Sequence, residues 1–148
     1  MCSMEGSVMK KVRGARILIA DDDLFYRKFF QKVMDEADLK CRVVSNGSQA
    51  VMELISAKDN FDCVVLDIYM DGMDGIETTR LIRRFSETLP IVMITADLRQ
   101  ETETKARYAG INAYMTKPFT DSEFLEVVSI AIHGEVNDVA GIEKGSDY

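Results

Sequence analysis

Five short apolar runs punctuate the chain, and segments with helical spacing separate them. Runs of four to six apolar residues are typical of strands buried on both faces, as in parallel sheets. We predict strands at Arg16–Ala20, about Lys40–Val44, Cys63–Leu66, Ile91–Thr95 and about Asn112–Met115.

The segments between the strands carry apolar residues at the spacing of one helix face. In the first helix these positions fall at offsets of 0, 3, 4, 7, 8 and 11: Tyr26, Phe29, Phe30, Val33, Met34 and Ala37. A second helix follows the Ser45-Asn46-Gly47 turn, and a third covers about Ile76–Phe85. Five strands alternating with five helices, joined by right-handed crossovers, predict a parallel sheet covered on both sides.

The last two helices depart from a simple one-sided pattern. The fourth, about Arg99–Ala109, has few apolar anchors, which predicts a movable helix: Leu98, Ala106 and Ala109. The fifth begins at a Thr120–Glu123 capping box, ends near His133 and shows two apolar faces. One face is Phe124, Val127 and Ala131, and the other is Leu125, Val128 and Ile132. A surface helix needs only one such face, so the second predicts a contact surface.

This organisation predicts one domain over residues 15–133. Residues 1–14 are expected to form a flexible lead, and residues 134–148 a polar tail or the start of a linker.

Composition narrows the classes of function. The net charge of -7 and the pI near 4.7 argue against direct nucleic-acid binding and against anionic membranes. No apolar stretch approaches the roughly 20 residues of a spanning helix, and no signal-peptide core is visible, so we expect a cytoplasmic protein. Three cysteines without C-x-x-C spacing (Cys2, Cys41, Cys63) are expected to be reduced, with Cys41 and Cys63 inside strands.

Polar residues follow four of the predicted strands. Asp21–Asp23 end the first, Asp67 the third, Thr95 the fourth and Lys117 the fifth. In open parallel sheets, ligands bind beyond the carboxyl ends of the strands. We therefore expect carboxylates, a hydroxyl and an ammonium at one sheet edge, a set that can hold a divalent cation and a phosphoryl group.

Each type of residue suits a part of that chemistry. Clustered carboxylates repel one another unless a cation shares them, and hard oxygen ligands favour Mg²⁺, with Mn²⁺ as an alternative. Asp67 can act as a nucleophile toward phosphorus, while Lys117 and Thr95 can contact phosphoryl oxygens. The competing interpretation is that Asp21–Asp23 only cap the first helix.

Four segments, in this order and spacing, resemble the receiver domain of bacterial two-component response regulators: ILIADDD, VVLDIYMDGMDG, PIVMITAD and AGINAYMTKPF. The resemblance covers roughly residues 15–133. It implies a flavodoxin-like doubly wound (βα)₅ fold with strand order 2-1-3-4-5. It also implies a phosphoacceptor regulator, not an enzyme, that receives a phosphoryl group from the phosphohistidine of a histidine kinase.

The resemblance assigns the acidic residues in turn. Asp67 matches the phosphoacceptor. Asp22 would bind Mg²⁺ directly, together with Asp67 and the backbone carbonyl of Tyr69, and Asp21 would act through a water. Asp23 falls outside the pair.

The remaining assignments concern phosphoryl binding and switching. Thr95 and Lys117 match the residues that hold the phosphoryl oxygens, and Lys117-Pro118 would be a cis peptide bond. Tyr114 matches a switch aromatic: Thr95 would move inward on phosphorylation and Tyr114 would rotate into the space. The surface of the fourth helix, fifth strand and fifth helix would then change, and the phosphoryl group would be lost slowly to water.

The sequence departs from the family pattern at three positions. Asp71 stands where the family commonly has proline, which should loosen the loop. Tyr69 is bulky, and Asp97 adds a negative charge beside the site. Both are expected to alter the lifetime of the phosphoaspartate, without a predicted direction.

Other classes fit less well. A haloacid-dehalogenase-like phosphatase needs an acid/base aspartate where this chain has Tyr69. A calcium loop starting at Asp67 fails at Tyr69 and Thr78. A flavin phosphate would be repelled by the aspartates after the first strand. His133, at a helix end, is a poor phosphotransfer residue.

The expected partners are a sensor histidine kinase or a histidine phosphotransfer protein, and a downstream protein or an attached output domain. A stand-alone receiver acting as a phosphorelay intermediate remains open, as does a phosphorylation-dependent homodimer. Kinase specificity is expected on the first helix, at Leu24, Phe25, Arg27, Lys28 and Gln31.

Overall fold

The computed structural model describes residues 12–56 and 61–134. Five parallel strands form one sheet in the order β2-β1-β3-β4-β5. Their bounds are β1 Arg16–Ala20, β2 Lys40–Val44, β3 Cys63–Asp67, β4 Ile91–Thr95 and β5 Ala113–Thr116. The predicted fold class and strand order are confirmed. β3 is the central strand, so the residues at its carboxyl end lie between the ends of β1 and β4.

Five helices alternate with the strands: α1 Leu24–Glu36, α2 Gly47–Ser56, α3 Gly75–Phe85, α4 Gln100–Ala109 and α5 Asp121–His133. Polar side chains begin several of them, because the first backbone N–H groups of a helix have no partner within it. Asp23 caps α1, and Asp74 forms a capping box with Glu77 at α3. The predicted capping box at α5 is present.

Two hydrophobic clusters cover the two faces of the sheet. The first joins the sheet to α1 and α5 through residues such as Phe30, Met34 and Phe124. The second joins it to α2, α3 and α4 through residues such as Ile82 and Ala106. The strands β3 and β4 are buried throughout, which explains their unbroken apolar sequences.

The two irregular helices differ from their predictions. Leu98 is 80% exposed and does not anchor α4; the buried Thr102 does, together with Ala106 and Ala109. The second apolar face of α5 is no open contact surface either. Leu125 and Val128 both belong to the first cluster, because this helix packs against the sheet with most of its circumference covered.

The predicted lead (1–14) and tail (134–148) lie almost entirely outside the described residues. At the end of the lead, Val12 is buried in the first cluster. Cys41 and Cys63 are free thiols, and burial raises the pKa of Cys41 to about 11. Within the described ranges, no helix has the combined length and apolar character that crossing a bilayer requires.

Candidate functional site

The predicted site residues do meet at the carboxyl edge of the sheet. Asp21 and Asp22 follow β1, Asp67 ends β3, and Lys117 follows β5. The backbone N–H of Lys117 donates to the carbonyl of Thr95, at the end of β4, over 2.8 Å. The parallel register thus brings residues that are distant in sequence to one edge.

Three carboxylates form the acidic part of the site. One oxygen from each of Asp21, Asp22 and Asp67 lies within 4.8 Å of the other two. Asp21 and Asp67 are buried, whereas Asp22 is exposed. Asp23 stands apart from this cluster, and its carboxylate accepts from the N–H of Phe25 at the start of α1. Both interpretations of this run therefore apply, to different residues: Asp23 caps α1, whereas Asp21 and Asp22 belong to the cluster that could hold a metal ion.

Lys117 supplies the positive charge. Its ammonium donates to the Asp21 carboxylate at 3.0 Å and lies 3.6 Å from the nearer Asp67 oxygen. It also lies over the ring of Tyr26, 4.0 Å from the centroid. Burial lowers the pKa of Lys117, but the charges of Asp67 and Asp21 outweigh this effect, and the net pKa is raised. The ammonium therefore stays protonated at neutral pH.

The surroundings of Asp67 disfavour its charged form. Burial, followed by the charge of Asp21, raises the pKa of Asp67 to about 7, although Lys117 acts in the opposite direction. With the Lys117 ammonium beside it, Asp67 is therefore only partly ionised at neutral pH, and its full ionisation there is favoured by additional positive charge. A hard divalent cation beside the three carboxylates would supply it, so the donor set fits Mg²⁺ or Mn²⁺. Asp22 and Asp67, with Asp21, are the residues that would hold it.

Thr95 and Tyr114 are joined through the backbone of Asp97. Thr95 is fully buried, and its hydroxyl accepts from the N–H of Asp97 at 3.1 Å. The hydroxyl of Tyr114 donates to the carbonyl of Asp97 at 3.4 Å. Tyr114 is 5% exposed, so its ring already occupies the interior in this conformation. Burial, and then the charge of Glu103, raises its pKa to about 12.

A hydrogen-bond network built on the Asp97 side chain joins the segment after β3 to the start of α4. The carboxylate accepts hydrogen bonds from Arg99 (2.7 Å), Tyr69 (2.6 Å) and Thr102 (2.8 Å). These bonds, that of Arg99 above all, hold the pKa of Asp97 well below its usual range. The sequence singled out Tyr69 and Asp97 but missed Arg99 and Thr102. The sequence does place a basic residue (Arg99) and a hydroxyl residue (Thr102) two and five positions after Asp97, and this spacing was the signal that could have indicated the contacts.

The backbone of Asp67 and Ile68 leaves no room for a side chain at Gly75. The N–H of Gly75 donates to the carbonyl of Ile68 at 2.7 Å, which folds the β3–α3 loop back on its strand. A Cβ at Gly75 would collide with the carbonyl of Asp67 and lie 2.9 Å from Met93 Sδ. On the other side of the site, the Lys117-Pro118 peptide bond is cis, as expected.

Comparison with known proteins defines the class. The sequence model of the response regulator receiver domain matches residues 17–129. Transcriptional regulatory protein ResD of Bacillus subtilis is 31% identical over 78% of this chain and 47% of its own length. Sensory/regulatory protein RpfC of Xanthomonas campestris is 28% identical over 80% of this chain and 17% of its own.

Solved structures agree. The receiver domain of the Francisella response regulator 1452 superposes with a TM-score of 0.74 at 26% identity, over 80% of this chain and 97% of that chain. The receiver domain of the sensor histidine kinase PA1611 of Pseudomonas aeruginosa superposes with a TM-score of 0.74 at 26% identity, over 82% of this chain and 99% of that chain. Its structure has a magnesium ion in the active-site cleft.

This chain belongs to the response regulator receiver domain family. It spans less than half the length of the curated relatives that it matches. The family is a signalling family, so the phosphatase alternative is not supported.

Proposed function

We propose that this domain accepts a phosphoryl group on Asp67 from a phosphohistidine donor and passes the change to its surface. The observation that carries the proposal is the convergence of three carboxylates and the Lys117 ammonium around the end of the central strand. A carboxylate oxygen of Asp67 attacks phosphorus, the P–N bond to the donor imidazole breaks, and the imidazole leaves with the electron pair. Mg²⁺ held by Asp22, Asp67 and the Tyr69 carbonyl, with Asp21 acting through a water, would offset negative charge on the carboxylate and the phosphoryl oxygens.

Lys117 and Thr95 take the remaining roles at the phosphoryl group. The Lys117 ammonium stabilises an equatorial oxygen as charge develops there, and the Thr95 hydroxyl donates to another. Loss of the phosphoryl group follows when water attacks phosphorus and the P–O bond to Asp67 breaks. Inorganic phosphate and the carboxylate are the products, so the domain slowly resets itself.

Switching follows from the contacts of Asp97. Movement of Thr95 toward a phosphoryl oxygen pulls on the Asp97 N–H, and Asp97 is bound in turn to Tyr114, Arg99 and Thr102. The position of Tyr114 and the start of α4 therefore depend on the state of Asp67. The surface formed by α4, β5 and α5 is the one we expect to change.

The partners follow from the chemistry. The donor is a histidine kinase or a histidine phosphotransfer protein in the cytoplasm. The output is either an attached domain or a separate protein. The domain can also act as a phosphorelay intermediate, or form a homodimer when it is phosphorylated. Two relatives, the transcriptional regulatory protein ResD and the sensory/regulatory protein RpfC, are both longer than this chain, which is compatible with an attached output domain.

The test is the intact mass of the protein after incubation with acetyl phosphate and Mg²⁺. We expect the wild type to gain one phosphoryl group and Asp67→Asn to gain none. Asp23→Asn is the matched control, because asparagine caps a helix as well as aspartate does and Asp23 lies outside the cluster. Labelling of Asp67→Asn at the wild-type level would refute the assignment of the acceptor.

A further inference from the structure

The ammonium of Lys117 lies over the ring of Tyr26 as well as beside the carboxylates. Tyr26 lies in the first turn of α1, and Lys117 follows β5. The distance of 4.0 Å from Nζ to the ring centroid is within the range in which an aromatic face attracts a cation. The lysine side chain is 12% exposed, so little water competes for this contact.

Other rings hold the Tyr26 ring in place. Phe29, Phe30 and Phe119 lie with their centroids 6.1, 6.0 and 5.9 Å from that of Tyr26. Phe30 is fully buried in the first cluster, and Phe119 lies two residues beyond Lys117. The ring is thus part of a packed aromatic group and not a freely rotating surface side chain.

The contact suits the work of Lys117. A lysine side chain is long and flexible, and its ammonium has three N–H donors. An aromatic face stabilises the charge without adding a further anionic oxygen, so the N–H groups stay available for oxygens. The ammonium is bounded by the ring, by Asp21 at 3.0 Å and by Asp67 at 3.6 Å.

We infer that Tyr26 is a positioning residue for phosphoryl transfer, holding the Lys117 ammonium beside the Asp67 carboxylate through its ring face. This inference rests on the proposed function for its kinetic consequence, but its geometric part does not. The ring face, and not the phenolic hydroxyl, does the positioning. Phenylalanine at position 26 should therefore preserve the position of the Lys117 ammonium, whereas leucine should not.

The experiment compares Tyr26→Phe and Tyr26→Leu with Phe29→Leu, which removes another ring of the same aromatic group. One measurement is the NMR shift of the Lys117 ε-methylene protons, which a ring face moves upfield. The other is the rate of labelling by acetyl phosphate with Mg²⁺. In Tyr26→Leu we expect loss of the upfield shift and labelling slower by about 3- to 30-fold. In Tyr26→Phe we expect both quantities to stay near the wild type. We expect the same in Phe29→Leu, because Phe30 and Phe119 still pack against the Tyr26 ring.

Three outcomes would overturn the inference. The first is an ordinary lysine shift in the wild-type protein, and the second is unchanged labelling in Tyr26→Leu despite loss of the upfield shift. The third is an equal loss of labelling in Phe29→Leu, which would indicate general packing. If the wild type takes no phosphoryl group, the proposed function fails, and the shift comparison alone then decides whether Tyr26 holds Lys117.

Discussion

The phenolic hydroxyl of Tyr69 donates a 2.6 Å hydrogen bond to the carboxylate of Asp97, joining the loop after β3 to the segment after β4. Arg99 reaches the same hydroxyl at 3.2 Å and the same carboxylate at 2.7 Å. Tyr69 is 53% exposed and lies two residues beyond Asp67, so this bond limits the movement of the segment beside Asp67. Two departures from the family pattern therefore act as one unit.

Removing the hydroxyl in Tyr69→Phe should shorten the life of the phosphoaspartate. The ring loses its tether, and the segment two residues beyond Asp67 then moves more freely and admits water more often, so we expect decay faster by about 2- to 10-fold, the effect of one hydrogen bond. The pKa of Asp97 should rise toward its usual range but stay below it, because Arg99 and Thr102 still donate. Decay is followed by intact mass, and the pKa by carboxyl ¹³C NMR.

Tyr108→Phe is the matched control for this change, because Tyr108 is 88% exposed on α4. Equal acceleration of decay in both variants, or none in Tyr69→Phe, would contradict the tethering role.

Asp67→Asn should stabilise the protein above neutral pH when a chelator is present. The pKa of Asp67 is raised to about 7 in the folded state, chiefly by burial, against about 3.9 in the unfolded chain. Between these values the folded state keeps a proton that the unfolded state has released, so the stability of the wild type falls as the pH rises.

Asparagine does not ionise, so the variant should be more stable than the wild type by about 1–3 kcal/mol at pH 8. The difference should shrink toward pH 4. Urea unfolding at both pH values measures it, with Asp71→Asn, an exposed aspartate of the same loop, as the control. A wild type whose stability rises between pH 5 and pH 8 relative to Asp67→Asn would show the opposite sign.

Mg²⁺ should raise the unfolding temperature of the wild type. A ligand at 100 times its dissociation constant stabilises the folded state by about 2.7 kcal/mol if it binds only that state. Asp22→Asn removes a ligand from the cluster and should lose most of this gain, whereas Asp23→Asn should keep it. Thermal unfolding across a Mg²⁺ titration measures the gain, and equal shifts in all three proteins would place the ion elsewhere.

Gly75→Ala should damage both the fold and the site. The added Cβ collides with the backbone of Asp67 and Ile68, so the loop must shift, at about 1–3 kcal/mol of stability and with loss of labelling by acetyl phosphate. Gly72→Ala is the contrast: its φ of +78° strains alanine, but the Cβ meets nothing within 4 Å. There we expect lower stability by about 1–2 kcal/mol with labelling retained. Normal labelling of Gly75→Ala would argue against the close approach of Gly75 to the backbone of Asp67 and Ile68.

The sheet and the carboxyl-edge residues could be predicted because buried parallel strands carry their signal locally. β3 was predicted to end one residue early, at Leu66, and β5 was placed one residue early, since Asn112 and Thr116 are both polar ends of a short run. The side-chain network of Asp97 could not be predicted, because it depends on loops that meet only in three dimensions. Leu98 shows the limit of counting apolar residues: it lies in the irregular segment before α4 and is exposed, whereas the polar Thr102 is buried and its hydroxyl is hydrogen-bonded.

The residues of the site are far apart in the sequence. Lys117 contacts Asp21 across 96 residues, and the charged groups of the site lie at the ends of three different strands, β1, β3 and β5. A segment that lacks any one of these strands lacks part of the charged set. Under the proposed function we therefore expect acceptance of a phosphoryl group to require the folded domain, so that a nascent or partly unfolded copy does not divert phosphoryl groups from its folded counterparts.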